Sequence, residues 1–231
     1  MSPRNKSISV ARLNLIADVH GNLPALEAVL DELPEAETLH LGDVVGYNPY
    51  AREVIELFQE RRIASVMGNH DNAVLTGNVS WFNPVAARAI LWTRERLSEE
   101  EFAYLASLPL EIKNQVYAVH GSPRRRLEEY VFPDYPDEVL SALLRLAGRR
   151  ILAMGHTHIP FWRRVGDALV LNPGSVGQPR DGDARASFAT VNIATLEVEI
   201  VRVEYDISRV AREIMRAGLP AVLAQRLFEG Y

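Results

Sequence analysis

The sequence predicts an α/β sandwich, and three observations carry that prediction. Up to residue 71, short apolar runs alternate with helical patterns, and each run ends in a polar motif. A second run–helix–run pattern spans 115–154. From 161 to 203 only short β-type runs remain, separated by Gly-Asp, Asn-Pro-Gly and Ala-Thr turn signals. Successive strand–motif–helix units imply right-handed crossovers and a mainly parallel sheet. Two layers of sheet follow, one opened by crossover helices and the other closed by hairpins.

The elements justify themselves in order. Residues 8–17 alternate loosely and read as a strand. Residues 23–33 place Leu26, Val29, Leu30 and Leu33 at helical spacing, with Pro24 in the first turn. A short strand over 38–41 runs into Gly42-Asp43, a helix spans 51–61, and a strand over 63–67 runs into Gly68-Asn69-His70-Asp71. Residues 83–107 are predominantly helical, and Ser98 with Glu101 forms a capping box for a second helix there. This stretch is expected to form a helical cap, an insertion at about 72–108 in a single domain spanning 1–231. A strand over 115–119 leads into His120, a helix over 137–147 closes on Gly148, and a strand over 150–154 leads into Gly155-His156-Thr157-His158. Strands over 161–165, 168–171, 186–193 and 197–203 follow, then one or two helices over 206–228 around Gly218-Leu219-Pro220.

Composition narrows the chemistry. The 231 residues fit one large domain, and 48% apolar residues suffice for an ordinary core. A net charge of −5 gives no bulk basic field for a nucleic-acid backbone. With no cysteine, every metal ligand must be a nitrogen or oxygen donor. The polar N-terminus and the interruptions at Arg12 and Asn14 make neither a signal peptide nor a membrane span, so a cytoplasmic protein is expected.

Five of the six histidines lie in motifs that also carry Asp, Asn or Gly: Asp18-Val19-His20-Gly21-Asn22, Gly68-Asn69-His70-Asp71, His120-Gly121 and Gly155-His156-Thr157-His158, joined by Gly42-Asp43. Imidazole and carboxylate suit first-row divalent ions, and there are enough donors for two of them. A two-metal centre points to phosphate-ester hydrolysis. Strand alternation is expected to put Asp18 and His20 on one side of a strand end, and likewise His156 and His158. Asp43 has two oxygens to bridge two cations, and Asn69 offers a neutral carbonyl. Glycines 21, 42, 68, 121 and 155 are expected to keep the backbone tight near the ions. Each motif alone could be structural. All five together in one chain of this length form a strong signal.

Other residues divide between plain and functional readings. His40, inside a strand, reads as a hydrogen-bonded structural histidine rather than a support for a ligand. Arg124-Arg125-Arg126 reads as a solvated loop rather than a phosphate-binding rim. Arg180 and Asp181 read as a hairpin turn or a subunit contact, with Arg180, like 124–126, able to supply a phosphate clamp from elsewhere in the chain. Trp81, Phe82 and Trp92 read as core rather than as a stacking platform. Asn172-Pro173-Gly174-Ser175 reads as a tight turn behind the site rather than an anion nest.

As an assembly, these motifs resemble the calcineurin-like metallophosphoesterase family over roughly residues 8–203, with all five family blocks in family order. Gly42-Asp43-Val44-Val45-Gly46-Tyr47 and Asn172-Pro173-Gly174-Ser175-Val176-Gly177 are similar to its small bacterial and archaeal phosphodiesterase-type branch. The resemblance implies a four-layer α/β/β/α sandwich of two mixed sheets flanked by helices. It implies that Asp18, His20 and His158 hold one ion, that Asn69, His120 and His156 hold the other, and that Asp43 bridges them. His70 is then not a ligand but the candidate catalytic residue facing the leaving-group oxygen. The implied activity is phosphodiester hydrolysis by a metal-bridging hydroxide. The alternatives are a phosphomonoesterase, a diadenosine-polyphosphate-like nucleotide hydrolase, or a non-catalytic scaffold. Mn²⁺ is the favoured ion, with Fe, Zn²⁺, Ni²⁺ or Co²⁺ also compatible with the donors. A small phosphoester is the expected partner, with no membrane and no bulk nucleic acid, and a homo-oligomer is left open. The protein serine/threonine phosphatase branch carries Asp then Arg three and four positions after the bridging Asp. Gly46 and Tyr47 stand there in this chain, which removes a bidentate phosphate clamp.

Overall fold

The first strand, β1 (Arg12–Ile16), opens the computed structural model, which describes residues 12–231. The expected start of this strand, residues 8–11, lies outside the described residues. After β1 come α1 (Leu23–Glu32), β2 (Glu37–His40), α2 (Ala51–Arg61), β3 (Ala64–Ser65), α3 (Asn69–Thr76), α4 (Pro84–Arg94) and α5 (Glu99–Ser107). Then follow β4 (Glu111–Lys113), β5 (Tyr117–Val119), α6 (Asp137–Ala147), β6 (Ile151–Met154), β7 (Phe161–Val165) and β8 (Ala168–Asn172). The chain ends with β9 (Ala186–Asn192), β10 (Val198–Val203), α7 (Ile207–Arg216) and α8 (Ala221–Glu229).

Local signals explain the helix limits. Asn22 caps α1 by accepting from the Ala25 N–H at 3.2 Å, with Pro24 in the first turn. The capping box of α5 forms between Ser98 and Glu101. Gly148 closes α6 in the left-handed region at φ 63°. Among the described residues, no helix is long and apolar enough to cross a membrane.

The strands form two mixed five-stranded sheets, in the orders β10-β9-β1-β2-β3 and β4-β5-β6-β8-β7. β1, β2 and β3 are parallel, as are β5, β6 and β8. The expected division into a crossover sheet and a hairpin sheet does not hold. The β9–β10 hairpin extends the first sheet from β1, and the β7–β8 hairpin extends the second from β6. β9 covers the open edge of β1 and β8 that of β6, so neither β1 nor β6 is left with an unpaired edge. β4 escapes the sequence pattern because only three residues pair with β5. β3 is shorter than the expected 63–67 because the Met67 N–H turns away to Pro109 O at 2.8 Å.

Side-chain alternation builds the four layers. Leu13, Leu15 and Ala17, with Ala189 and Val191, meet Ala118, Ile151, Ala153, Leu169 and Leu171 in an apolar layer between the sheets. On the outer face of the first sheet, Ile16 and Phe188 pack with α1, α2 and the α3–α5 region. On the outer face of the second, Tyr117, Val119, Leu152, Met154 and Val170 pack on α6.

His40 is structural, as expected. Its Nδ1 lies 2.7 Å from Ser65 Oγ and its ring meets the Phe58 ring edge-on. Burial, with some effect from His120, lowers its pKa from 6.5 to about 3. The unfolded chain therefore takes up this proton before the folded one does. The stability His40 contributes is complete above pH 6.5 and is lost as the pH falls towards 3. Between pH 7 and pH 5, wild type should lose about 2 kcal/mol more than His40→Leu does. Urea midpoints at the two pH values check this; equal losses would contradict it.

Candidate metal centre

The loops that follow β1, β2, β5 and β6, together with the N-terminus of α3 just beyond β3, carry the motif residues to one place, at the carboxyl ends of parallel strands from both sheets. Strand alternation is not what aims them. β1 stops at Ile16 and β6 at Met154, and Asp18, His20, Asp43, His156 and His158 have φ of 54°, 50°, 63°, 70° and 61°. Among the described non-glycine residues only Arg62 and Leu196 share that left-handed region. Such conformations cost on the order of 1–3 kcal/mol each and persist only where the surroundings enforce them. Here the enforcement is visible. Asp18 N–H donates to Gly42 O at 3.0 Å and His20 N–H to Asp43 O at 2.9 Å. Ser175 Oγ and the Gly177 N–H both donate to Asp18 O, at 2.8 and 2.9 Å. The Asn172–Ser175 stretch thus lies behind the site, bracing the Asp18 backbone.

All seven candidate ligands are buried and converge. Three groups of side chains bring their donor atoms within 4.8 Å of one another: Asp18, His20 and His158; His20, Asp43 and His70; Asp43, His120 and His156. Asn69 Oδ1 joins the last group at 2.8 Å from His120 Nε2. The hydrogen bonds test whether cations fit. His20 Nδ1 faces Val45 O at 3.3 Å, and His158 Nδ1 faces Gln178 O at 2.5 Å. Carbonyls only accept, so both Nδ1 atoms donate and both Nε2 atoms present lone pairs. Those two Nε2 atoms are 3.1 Å apart. Facing lone pairs repel, and a cation beside them removes the conflict. His156 Nε2 is buried with no hydrogen-bond partner among the described residues. The residues fit divalent ions.

Electrostatics agree. Burial, helped by Asp43, pushes Asp18 up to about 8 against the pull of His120. Burial holds His20, His156 and His158 well below the usual histidine value, so they stay neutral and free to coordinate. Burial would lower His120 too, but the Asp43 charge and hydrogen bond raise it to about 9. Burial would raise Asp43, yet the His120, His70 and His20 charges keep it well below its usual value. Without metal, protons do part of the work of cations.

Asp71 is a support that the motif contained without revealing. Its carboxylate accepts from the N–H groups of Asp43 at 3.0 Å, Val44 at 3.3 Å, Val45 at 3.0 Å and Gly68 at 2.9 Å. It ties the Asp43 loop to the start of α3, where the His70 N–H donates to Asp43 Oδ1 at 2.8 Å. Its place three residues after Gly68 matches a helix-start pattern, which was the available signal. A Cβ on Gly68 would fall 2.0 Å from Asp43 Oδ1, so only glycine lets these loops meet. Not every motif glycine abuts the ligands: Gly21 and Gly121 sit against Asn48 O and Arg125 O instead.

A cavity of about 490 Å³ opens over Asn69 and His70. Its walls revise two expectations. Trp81 lines it and is 49% exposed, whereas Phe82 both lines it and packs on the core, and Trp92 packs on the core and donates to Ala217 O. Arg180 is not a plain turn residue; it lines the cavity and donates to Tyr47 Oη at 3.0 Å. Tyr130 stacks on His156 with centroids 3.9 Å apart, and nothing in the sequence marked it. Arg124 and Arg126 pair with Glu129 and Glu111, and 124–126 stays outside the cavity as a solvated loop. Burial moves His70 from 6.5 to about 4, away from the unperturbed value that suits a proton donor.

Two mixed sheets between helical layers, with a buried His/Asp cluster where their parallel strands end, define a metallophosphoesterase. The chain belongs to the calcineurin-like phosphoesterase superfamily, whose domain matches residues 12–196. It is 38% identical to an uncharacterised protein of Methanocaldococcus jannaschii, covering 94% of this chain and 97% of that one. It is 27% identical to phosphodiesterase YfcE of Escherichia coli, covering 87% and 97%. The structure is similar to a metallophosphoesterase from Sphaerobacter thermophilus, with TM-score 0.84, 38% identity, and coverage of 96% and 99%. It is also similar to a hypothetical protein from Pyrococcus horikoshii OT3, with TM-score 0.88, 26% identity, and coverage of 95% and 98%.

Proposed function

We propose that the protein hydrolyses small phosphodiesters with two divalent ions. In this reading Asp18, His20 and His158 hold one ion, Asn69, His120 and His156 hold the other, and Asp43 bridges them. The observation that carries it is the pair of facing Nε2 atoms on His20 and His158. When bound, such ions lower the pKa of an attacking water and neutralise phosphoryl charge. The chain's own residues do the rest. Carbonyls fix three of the four ligand imidazoles, those of His20, His120 and His158, so little reorganisation is needed when substrate arrives. His70 is assigned to substrate because it lines the cavity, and as a neutral imidazole it hydrogen-bonds the departing oxygen.

Two features support a diester. The similarity to a phosphodiesterase is one. The other is aromatic surface in two places on the floor: Phe82 edge-on to His70, and Tyr130 face-on to His156. Each ester arm then has apolar surface to lie on. One observation favours a monoester or nucleotide-type substrate instead, the guanidinium of Arg180 in the cavity. Catalytic efficiencies on a nitrophenyl diester, a nitrophenyl monoester and a phosphoserine peptide, under one metal condition, decide between them. The diester is expected to lead. A clear lead for the phosphopeptide would overturn the assignment.

A further inference from the structure

The Arg180 guanidinium is half-buried in a cavity whose lining contains no aspartate or glutamate. Among the described residues it makes no ion pair, and its neighbour Asp181 pairs with Arg202 instead. Its protein hydrogen bonds all come from Nη2, to Tyr47 Oη at 3.0 Å and Gln178 Oε1 at 3.2 Å. A guanidinium has five N–H donors, so those on Nε and Nη1 remain unspent. Withdrawing a cation from water without an anion is unfavourable, and a bound anion would offset that cost.

The position of this guanidinium is set twice. The Arg180 N–H donates to His158 O at 3.3 Å, and His158 Nδ1 donates to Gln178 O, so one loop holds both the arginine and a candidate ligand. At the other end, the Tyr47 ring packs on His20 and His70 at 4.6 and 4.5 Å between centroids, and its hydroxyl accepts from Arg180. The guanidinium is therefore held at a fixed place beside the candidate ligands, and it lines the same cavity as His70.

We propose that Arg180 grips the non-bridging oxygens of the substrate phosphoryl group, with Tyr47 as its positioning residue. This rests on the phosphoesterase reading above. The arginine absent from the position of Tyr47 is supplied from 133 residues further along the chain, hung on the tyrosine hydroxyl. The ligand class is a phosphoryl anion, and the fork geometry suits paired oxygens.

The test uses the metal-loaded full chain and variants Arg180→Ala, Arg180→Lys and Tyr47→Phe. Metal content, kcat and KM on a nitrophenyl ester, and inorganic phosphate binding by calorimetry are measured for each. Arg180→Ala should keep both metals and weaken phosphate binding and kcat/KM by about 10–100-fold, the range for one lost charge-assisted hydrogen bond. Free guanidinium ion should restore part of the loss. Arg180→Lys should recover less than wild type because it keeps the charge without the fork. Tyr47→Phe should give a smaller loss in the same parameters. Phosphate binding reads the clamp even if wild type turns over no ester tested, so the two readings fail separately. Unchanged phosphate affinity in Arg180→Ala overturns the proposal. So does metal loss in Arg180→Ala and Arg180→Lys that guanidinium ion does not rescue, because the arginine would then merely brace the His158 loop.

Discussion

Dialysis against a chelator is expected to abolish phosphoesterase activity, and Mn²⁺ is expected to restore it. Ions of this kind contribute several kcal/mol of transition-state stabilisation, so a loss of about a thousandfold or more is expected. The structure also gives a readout independent of turnover. Without metal, the site holds facing lone pairs on His20 and His158 and an unpartnered Nε2 on His156. It also holds protons that metal must displace. Burial raises Asp18 to about 8, and despite burial Asp43 holds His120 up at about 9. The sign follows directly. Both groups are protonated below those values and must be deprotonated to coordinate, so metal affinity should rise as the pH goes from 7 to 9. Calorimetry in two buffers of different ionisation enthalpy should record proton release on binding. The thermal midpoint should rise with metal, since ion at 100 times its dissociation constant adds about 2.7 kcal/mol. A metal-free protein that kept full activity would end the two-metal reading.

The candidate ligands were legible because few residue types can do such work. Histidine, aspartate and asparagine beside glycine are rare in combination, and chain order was enough to list them. Their aim was not legible. Alternation along a strand suggested why Asp18 pairs with His20, but both lie beyond the strand in left-handed backbone that only tertiary hydrogen bonds sustain. The helices α2 and α6 were readable to the residue from their apolar spacing, with an end signal only at Gly148 of α6. Hairpins declare that two strands pair but not which edge they join, so the partition of β7–β10 between the sheets escaped. Tyr130 escaped for a related reason. It sits in a loop with no periodicity, and only the fold brings it to His156. Arg180 could be named as a possible clamp, but only the fold shows its bond to Tyr47. The pKa of His70 also depends on burial, which a motif does not report.

His70→Ala is expected to lower kcat by about 10²–10⁴-fold, the usual contribution of a group that assists proton movement at a leaving oxygen. Both metals should remain if, as proposed, the residue serves the substrate from the cavity and is not a ligand. The loss should shrink along a series of better leaving groups, which need less help as the bond breaks. The low pKa adds a second discriminator. Burial takes His70 to about 4, so the neutral form dominates through the physiological range. It can then lend a hydrogen bond without first being protonated, and the kcat profile should show no limb near pH 6.5 that disappears in the variant. Such a limb would restore His70 as a charged acid. The cluster of His70 with His20 and Asp43 within 4.8 Å supplies the rival outcome. If His70→Ala loses one equivalent of metal, the imidazole is a ligand, and the proton at the leaving oxygen must come from elsewhere in the cavity.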